Sequence, residues 1–250
     1  CVIAGETLEL DILVTDPDDD SPPQKVALTA TGGPFEVDIS PARLEVAQGY
    51  QSQPLNGKFI WETTCEHISD QEYQIVLRAV DDKEIIDGRG DESFLSTLET
   101  VLIKVVGPPP EDVQAVALPE EITVTWEKPY ACEDAANDYF QGFSVWRRIG
   151  SNQFPPDTCR PGLNGQGYTK INAGLLNDMQ DGRYIFVDTD VERGRTYCYR
   201  ILANFAQLSA ANNPFNQVES LPSDEACDDN DAAVPATPGT ACNDGDSTTE

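Results

Sequence analysis

The chain has 250 residues, and its 44 acidic and 16 basic side chains give a formal net charge of -28. Such a charge repels phosphate backbones and anionic headgroups, so we expect no nucleic-acid partner and no direct membrane insertion. No apolar run reaches the ~18 residues of a transmembrane helix. The 18 Gly, the 18 Pro and the single Met favour strands and turns over helices.

Short runs in which apolar and polar residues alternate fill the first half of the chain. They cover residues 7–15, 25–30, 59–63, 73–80 and 98–106. A period of two is typical of half-buried strands, and the Asp, Pro and Gly clusters between the runs indicate turns. We therefore predict that residues 1–107 form a β-sandwich similar to Ig-like and cadherin-like domains.

Three consecutive prolines, residues 108–110, interrupt this pattern. Proline has no amide hydrogen to donate to a sheet, and a proline-rich linker is stiff. The alternation restarts in six short runs, and residues 151–181 contain many Gly, Pro and Asn. We predict a second sandwich over 108–228 with a long loop insertion, followed by an Asp/Pro/Thr-rich linker or the start of a further repeat over 229–250.

The second half resembles fibronectin type III domains in the order of its landmarks. These are residues 122–129 (ITVTWEKP), 142–148 (GFSVWRR), 197–203 (YCYRILA) and 220–223 (SLPS). The resemblance implies that Trp126 fills the core and that Tyr197 or Tyr199 ties a strand edge through its hydroxyl. The alternative is another type of sandwich, and in either case the fold class is all-β with two tandem sandwiches.

The whole run resembles Bacteroidota surface proteins with gliding-motility-associated C-terminal domains. The best local features are residues 59–65 (FIWETTC), 73–81 (YQIVLRAVD) and 197–200 (YCYR). The resemblance implies type IX secretion to the bacterial cell surface, although the sorting domain itself is not in this sequence. We expect the sequence to be a piece of a longer exported protein.

Seven cysteines are spread along the chain without a C-x-x-C pair, and His67 is the single histidine. This spacing disfavours zinc and predicts disulfides formed in an oxidising compartment. Spacing alone does not fix connectivity. From the strand order we predict the pairs Cys1–Cys65, Cys132–Cys159 and Cys198–Cys227, with Cys242 left over.

Carboxylates follow two predicted strands of the first sandwich. Asp16, Asp18 and Asp20 come after residues 7–15, and Asp81 and Asp82 come after residues 73–80. In such sandwiches the two loops emerge at the same end, where carboxylates can supply the roughly six to eight oxygens that calcium prefers. We predict a calcium site here. The alternative is a solvated acidic turn.

The sequence has one histidine and no phosphate-binding loop, which leaves little basis for catalysis, so we predict that the chain is not an enzyme. Two other functions remain open. The first is a structural or adhesive module that contacts neighbouring domains or copies of the same protein. The second is a carbohydrate-binding accessory region of a secreted enzyme, with a surface polysaccharide as partner. It requires an exposed aromatic row, for which the candidates are Trp61, Trp126, Tyr139, Phe140, Phe143 and Trp146.

Overall fold

The computed structural model describes residues 1–16, 24–86, 92–155, 157–211 and 213–229. This part of the chain is all-β and forms two tandem β-sandwiches. Within it, no helix is long and apolar enough to cross a membrane. The predicted residues Asp18 and Asp20, together with residues 230–250, lie outside the described ranges.

Within the described residues, the first sandwich has nine strands and two 3-10 helices. The strands are β1 (Val2–Ile3), β2 (Thr7–Val14), β3 (Lys25–Gly32), β4 (Arg43–Val46), β5 (Gln51–Ser52), β6 (Leu55–Glu62), β7 (Tyr73–Ile86), β8 (Glu92–Ile103) and β9 (Val105–Val106). The 3-10 helices are Gly33–Phe35 and Cys65–His67. One sheet has the order β2-β6-β4 and the other β5-β3-β7-β8, and β1 pairs with β9 in parallel.

Alternation along the strands places apolar side chains between these two sheets. Phe59 and Trp61 from β6 face Ile75 from β7, and all three are fully buried. The rings of Trp61 and Tyr73 meet edge to face with centroids 4.9 Å apart. The predicted strands at 7–15 and 73–80 are confirmed, although β7 continues further along the chain than its alternating pattern indicates.

In the part of the chain that the structure describes, the second sandwich also has nine strands, with one 3-10 helix at Ala136–Asp138. The strands are β10 (Gln114–Leu118), β11 (Glu121–Trp126), β12 (Phe140–Ile149), β13 (Thr169–Lys170), β14 (Met179–Gln180), β15 (Arg183–Asp188), β16 (Thr196–Leu208), β17 (Pro214–Glu219) and β18 (Ala226–Asp229). Its sheets have the orders β10-β11-β15-β14 and β13-β12-β16-β17, with β18 also paired to β16. Every described strand pairing joins strands on the same side of Gly107.

The residues that carry the fibronectin resemblance occupy the expected places. Trp126 is fully buried and stacks on Tyr184, with ring centroids 5.8 Å apart. Tyr197 accepts a hydrogen bond at its hydroxyl from the Glu192 amide at 2.9 Å, which ties β16 to the chain that enters it. Tyr199 instead donates its hydroxyl to the buried carboxylate of Asp188 at 2.9 Å.

The last strand differs from the prediction, which placed it at 218–221. The structure has two strands, β17 and β18, separated by residues 220–225. The interruption costs β16 no hydrogen bonds, because the Ser220 hydroxyl accepts from the Ala203 amide and the Ser223 hydroxyl from the Ile201 amide, each at 2.9 Å. Pro222 lies between them and has no amide hydrogen to add to the ladder.

Candidate functional site: a cross-linked junction between the sandwiches

Two of the three disulfides join the sandwiches to each other. The structure pairs Cys1 with Cys159 and Cys65 with Cys132, and each bond connects a residue before Gly107 with one after it. The third bond, Cys198–Cys227, closes within the second sandwich across the paired strands β16 and β18. The predicted pairs Cys1–Cys65 and Cys132–Cys159 are therefore wrong, whereas Cys198–Cys227 is confirmed.

The reason for the error is the position of the N-terminus. Because β1 runs parallel to β9, the last strand before the proline linker, Cys1 lies at the junction rather than at the far end of its sandwich. Cys65 begins the 3-10 helix that follows β6, and its partner Cys132 follows β11. Each first-sandwich cysteine thus meets a residue of the second sandwich.

A tyrosine hydroxyl anchors the contact between the two modules. Tyr139 donates to the carbonyl of Ile68 at 2.6 Å, and its oxygen accepts from the Asn216 amide group at 2.8 Å. The Asn216 side-chain oxygen in turn accepts from the Asp70 amide at 2.9 Å. Burial raises the pKa of Tyr139, so the hydroxyl keeps the proton that it donates. The chain of bonds satisfies polar groups from both sandwiches.

A carboxylate adds a second bond across the junction. Glu66 accepts a hydrogen bond from the Ala136 amide at 3.0 Å, and this bond is the main reason that the pKa of Glu66 is lowered. Ala136 begins the 3-10 helix of the second sandwich. The 3-10 helices Cys65–His67 and Ala136–Asp138 therefore meet beside the Cys65–Cys132 bond.

The proline linker is packed against the second sandwich. A Cβ at Gly107 would lie 2.7 Å from the Phe205 ring, so only glycine allows this approach without a shift. The Leu221 amide donates to the Gly107 carbonyl at 3.0 Å, and the Tyr130 hydroxyl donates to the Pro108 carbonyl at 2.7 Å. The linker is fixed at both sides of its first proline.

The long insertion is clamped to the second sandwich by a stack of cations and rings. The Arg200 guanidinium lies 4.4 Å from the Phe154 ring centroid, and both Arg200 and Arg148 lie within 5.8 Å of the Tyr168 ring. Arg200 also donates to the Tyr168 hydroxyl at 3.1 Å and to the Ser223 carbonyl at 2.5 Å. This clamp positions the loop that carries Cys159.

Glu225 completes the clamp from the opposite side. Its carboxylate accepts from the Ser151 hydroxyl at 2.5 Å, from the Asn152 amide at 2.9 Å and from the Tyr168 hydroxyl. Burial alone would raise the pKa of Glu225, but these bonds outweigh it and the pKa is lowered. Burial raises the pKa of Tyr168 to about 12. In this pair the charged Glu225 carboxylate accepts and the neutral Tyr168 hydroxyl donates.

Two of the predicted calcium ligands do meet at one end of the first sandwich. Asp16 and Asp81 line one open cleft, together with residues of β2, β3, β7 and β8. Asp82 accepts from the Lys25 amide at 2.8 Å, and Asp81 accepts from the Lys83 amide at 3.1 Å. Asp82 therefore caps the first amide of β3, whereas Asp81 binds an amide inside β7, at the register shift between Val80 and Glu84. Neither contact was part of the prediction.

Among the residues that the structure describes, the only group of three metal-type ligands with mutually close atoms is Cys198, Glu225 and Cys227. Its two sulfurs are bonded to each other, so they offer no thiolate to a metal. Among the described residues, the Asp16 cleft therefore holds no close group of three such side chains. The calcium prediction depends on Asp18 and Asp20, which fall outside the described residues.

The candidate aromatic row for sugar binding is interior. Trp61, Trp126, Tyr139 and Phe143 are buried, and Phe140 and Trp146 are half-buried. Trp146 packs on the small cluster of Leu163, Tyr168 and Leu202 beside the clamp. These rings fill cores and do not form an exposed platform.

Sequence reasoning missed Arg200, Glu225 and Asn172. A signal was present for Arg200, because it interrupts the apolar run of β16 and its neighbours along the chain on both sides are buried. An arginine there must be paired, because an unpaired buried charge is costly. Glu225 and Asn172 lie in loop-rich stretches where no periodicity marks a buried polar residue.

No protein-family model matches the chain, and no curated protein matches it. Among solved structures, the selenomethionine-substituted chicken interferon gamma receptor alpha chain is similar at 15% sequence identity and a TM-score of 0.31. The match covers 82% of this chain and 97% of that chain. Similarity at this level carries no inference about function.

Proposed function

We propose that the chain is a structural or adhesive extracellular module of a bacterial cell-surface or filament-forming protein. Its role is to hold two sandwiches as one stiff unit and to present them to neighbouring domains or to copies of the same protein. The observation that carries the proposal is the pair of disulfides between the sandwiches. A flexible tandem needs no such bonds, and they are costly to form in a reducing compartment.

The side chain of His67 supports a non-enzymatic role. It is the only histidine in the sequence, and it is 2% exposed. One ring nitrogen accepts from the Thr64 amide at 2.9 Å and the other lies 2.8 Å from the Ile39 carbonyl. Because both nitrogens are engaged inside the protein, His67 cannot serve a substrate as a general base.

The carbohydrate-binding alternative loses its main support, because the aromatic residues on which it depended fill the cores. Three disulfides are typical of proteins in oxidising compartments, which supports an extracellular location. Attachment to the bacterial surface by type IX secretion, and a link to gliding motility, rest on the sequence resemblance alone.

The proposal is tested by measuring whether the sandwiches tumble together. We expect backbone ¹⁵N relaxation of the oxidised chain to fit a single rotational diffusion tensor for the amides of β3 and β16. The matched control lacks both bonds between the sandwiches (Cys1→Ser, Cys159→Ser, Cys65→Ser, Cys132→Ser) and keeps Cys198–Cys227. Separate correlation times for the two sandwiches in the oxidised wild type would rule out a stiff unit.

Calcium remains a proposed ligand of the Asp16 and Asp81 end. We expect calcium to raise the midpoint of thermal unfolding relative to chelator, because an ion that binds only the folded state stabilises it. The shift should disappear in Asp18→Ala and Asp81→Ala variants. An equal midpoint with calcium and chelator would assign these carboxylates to solvation and strand capping.

A further inference from the structure

We propose that the three disulfides make this chain a tether of limited extension, in which a load applied between Cys1 and Cys227 is carried only by the segment from Cys159 to Cys198. This inference rests on the proposed structural function and gives it a mechanical meaning. Most of both sandwiches would be shielded from the pulling force. The load path depends only on the disulfide connectivity, which the structure fixes.

The load path follows from the order of the cross-links. A force applied at Cys1 crosses directly to Cys159 through their disulfide, so residues 2–158 form a covalently closed loop beside the path. A force that reaches Cys198 crosses directly to Cys227, which removes residues 199–226 from the path. The bond Cys65–Cys132 lies inside the first loop and does not shorten the path.

The unshielded segment is short. Cys159 and Cys198 are 39 positions apart (198 minus 159), whereas Cys1 and Cys227 are 226 positions apart (227 minus 1). A fully extended chain spans at most about 3.3–3.6 Å per residue, so the oxidised path cannot exceed about 130–140 Å. Without the disulfides the same two points can be drawn apart about 5.8-fold further.

Buried polar bonds hold this short segment in place. The Asn172 side chain accepts from the Val145 amide at 2.8 Å and donates to the Phe143 carbonyl at 3.1 Å. Asp188, at the end of β15, accepts two hydrogen bonds from Arg147 at 2.8 and 3.0 Å. Both residues are buried, and both fix the load-bearing segment to β12, which lies in the shielded loop.

The experiment is single-molecule stretching of the full chain, with handles attached at its two ends and Cys242→Ser in every variant to prevent mispairing. The readout is the contour length after full extension, which does not require that a variant folds normally once its remaining disulfides are formed. Residues 228–250 lie on the path in every molecule, so their constant contribution is subtracted before the path lengths are compared. Non-reducing peptide mapping first verifies the bonds in each variant.

The connectivity predicts a distinct path length for each variant. Removing Cys198–Cys227 leaves 68 residues on the path (227 minus 159), an increase of about 1.7-fold over the oxidised wild type. Removing Cys1–Cys159 redirects the load through Cys65–Cys132 and leaves 130 residues (64 from 1 to 65 and 66 from 132 to 198), an increase of about 3.3-fold. Full reduction gives the increase of about 5.8-fold.

The matched control is the double variant Cys65→Ser, Cys132→Ser. It removes a bond between the sandwiches, as Cys1→Ser, Cys159→Ser does, but its path length should equal that of the wild type. A long oxidised wild-type path, or equal lengthening in these two double variants, would overturn the proposal. Asn172→Ala should lower the force at which the segment extends and leave its final length unchanged, whereas a changed length would also count against the proposal.

These outcomes are separable from failure of the proposed function. Independent tumbling of the sandwiches in the relaxation experiment would reject the stiff unit even if the path lengths follow the connectivity. Conversely, a rigid pair of sandwiches with a long oxidised path would keep the stiff unit and reject the limited tether.

Discussion

The two sandwiches are stabilised in different ways. Ion pairs within the first sandwich, such as Arg43–Glu45 and Lys58–Glu9, have side chains 37–58% exposed. In the second sandwich the Arg147–Asp188 pair has side chains only 18% and 4% exposed. The second sandwich also keeps a disulfide of its own, whereas both cysteines of the first sandwich are bonded to the second.

This contrast indicates a division of roles. Exposed ion pairs contribute little to stability, because solvent screens them, whereas a buried pair is costly to break from one side. We therefore expect the second sandwich to act as the anchor and the first sandwich to depend on its attachment to that anchor.

Removal of the Asp188 carboxylate should damage the anchor most. Asp188→Ala leaves the Arg147 guanidinium and the Tyr199 hydroxyl without their buried acceptor, and we expect a loss on the order of 3–5 kcal/mol in the free energy of unfolding. Urea unfolding with intact disulfides measures it. The control is Asp190→Ala, whose carboxylate pairs with the same arginine but is 95% exposed, and a loss of equal size there would contradict the distinction.

Removal of the Cys65–Cys132 bond should affect the first sandwich selectively. We expect the double variant Cys65→Ser, Cys132→Ser to lose ~2–4 kcal/mol and to show faster amide hydrogen exchange in β6 and β7 than in β16. Cys198→Ser, Cys227→Ser should reverse that order. Uniform acceleration across both sandwiches in either variant would mean that they unfold as one cooperative unit.

Loss of the Tyr139 hydroxyl should weaken the junction between the sandwiches, and it should create no large cavity because the ring stays in place. Tyr139→Phe leaves the Ile68 carbonyl and the Asn216 amide group without their partner, at an expected cost of about 1–2 kcal/mol. Tyr50→Phe, at an exposed position, is the control and should be near neutral. Unfolding midpoints in denaturant report both, and equal stability of the two variants would show that solvent reaches the junction.

Protonation of His67 should produce the smallest effect. Burial lowers the pKa of His67 below its usual 6.5, so the unfolded chain binds a proton more readily than the folded chain. Stability should fall as the pH decreases through about 6.5, by on the order of 1 kcal/mol between pH 7.5 and 5.5. His67→Gln should flatten this slope, which urea titrations at the two pH values measure. A slope that persists in the variant would assign the effect to other groups.

Much of the fold could be predicted from the sequence because its signals are local. A period of two identifies β2 and the first half of β7, three prolines mark the linker, and the fibronectin-like run ITVTWEKP indicates the core position of Trp126. The sequence predicted that the hydroxyl of Tyr197 or Tyr199 ties a strand edge, and in the structure Tyr197 makes this hydrogen bond. The domain boundary at Gly107 stays a prediction. The described strand pairings agree with it, because each joins two strands on the same side of Gly107.

The sequence by itself determined the all-β class, the cysteines that form bonds and the acidic cleft of Asp16 and Asp81, since each depends on residue type and position along a strand. The tertiary structure alone decided which cysteines meet. The parallel pairing of β1 with β9 carries Cys1 to the junction, and the clamp around Arg200 positions Cys159 to meet it. Disulfide connectivity is set by distances between residues remote in sequence, and no local pattern encodes those distances.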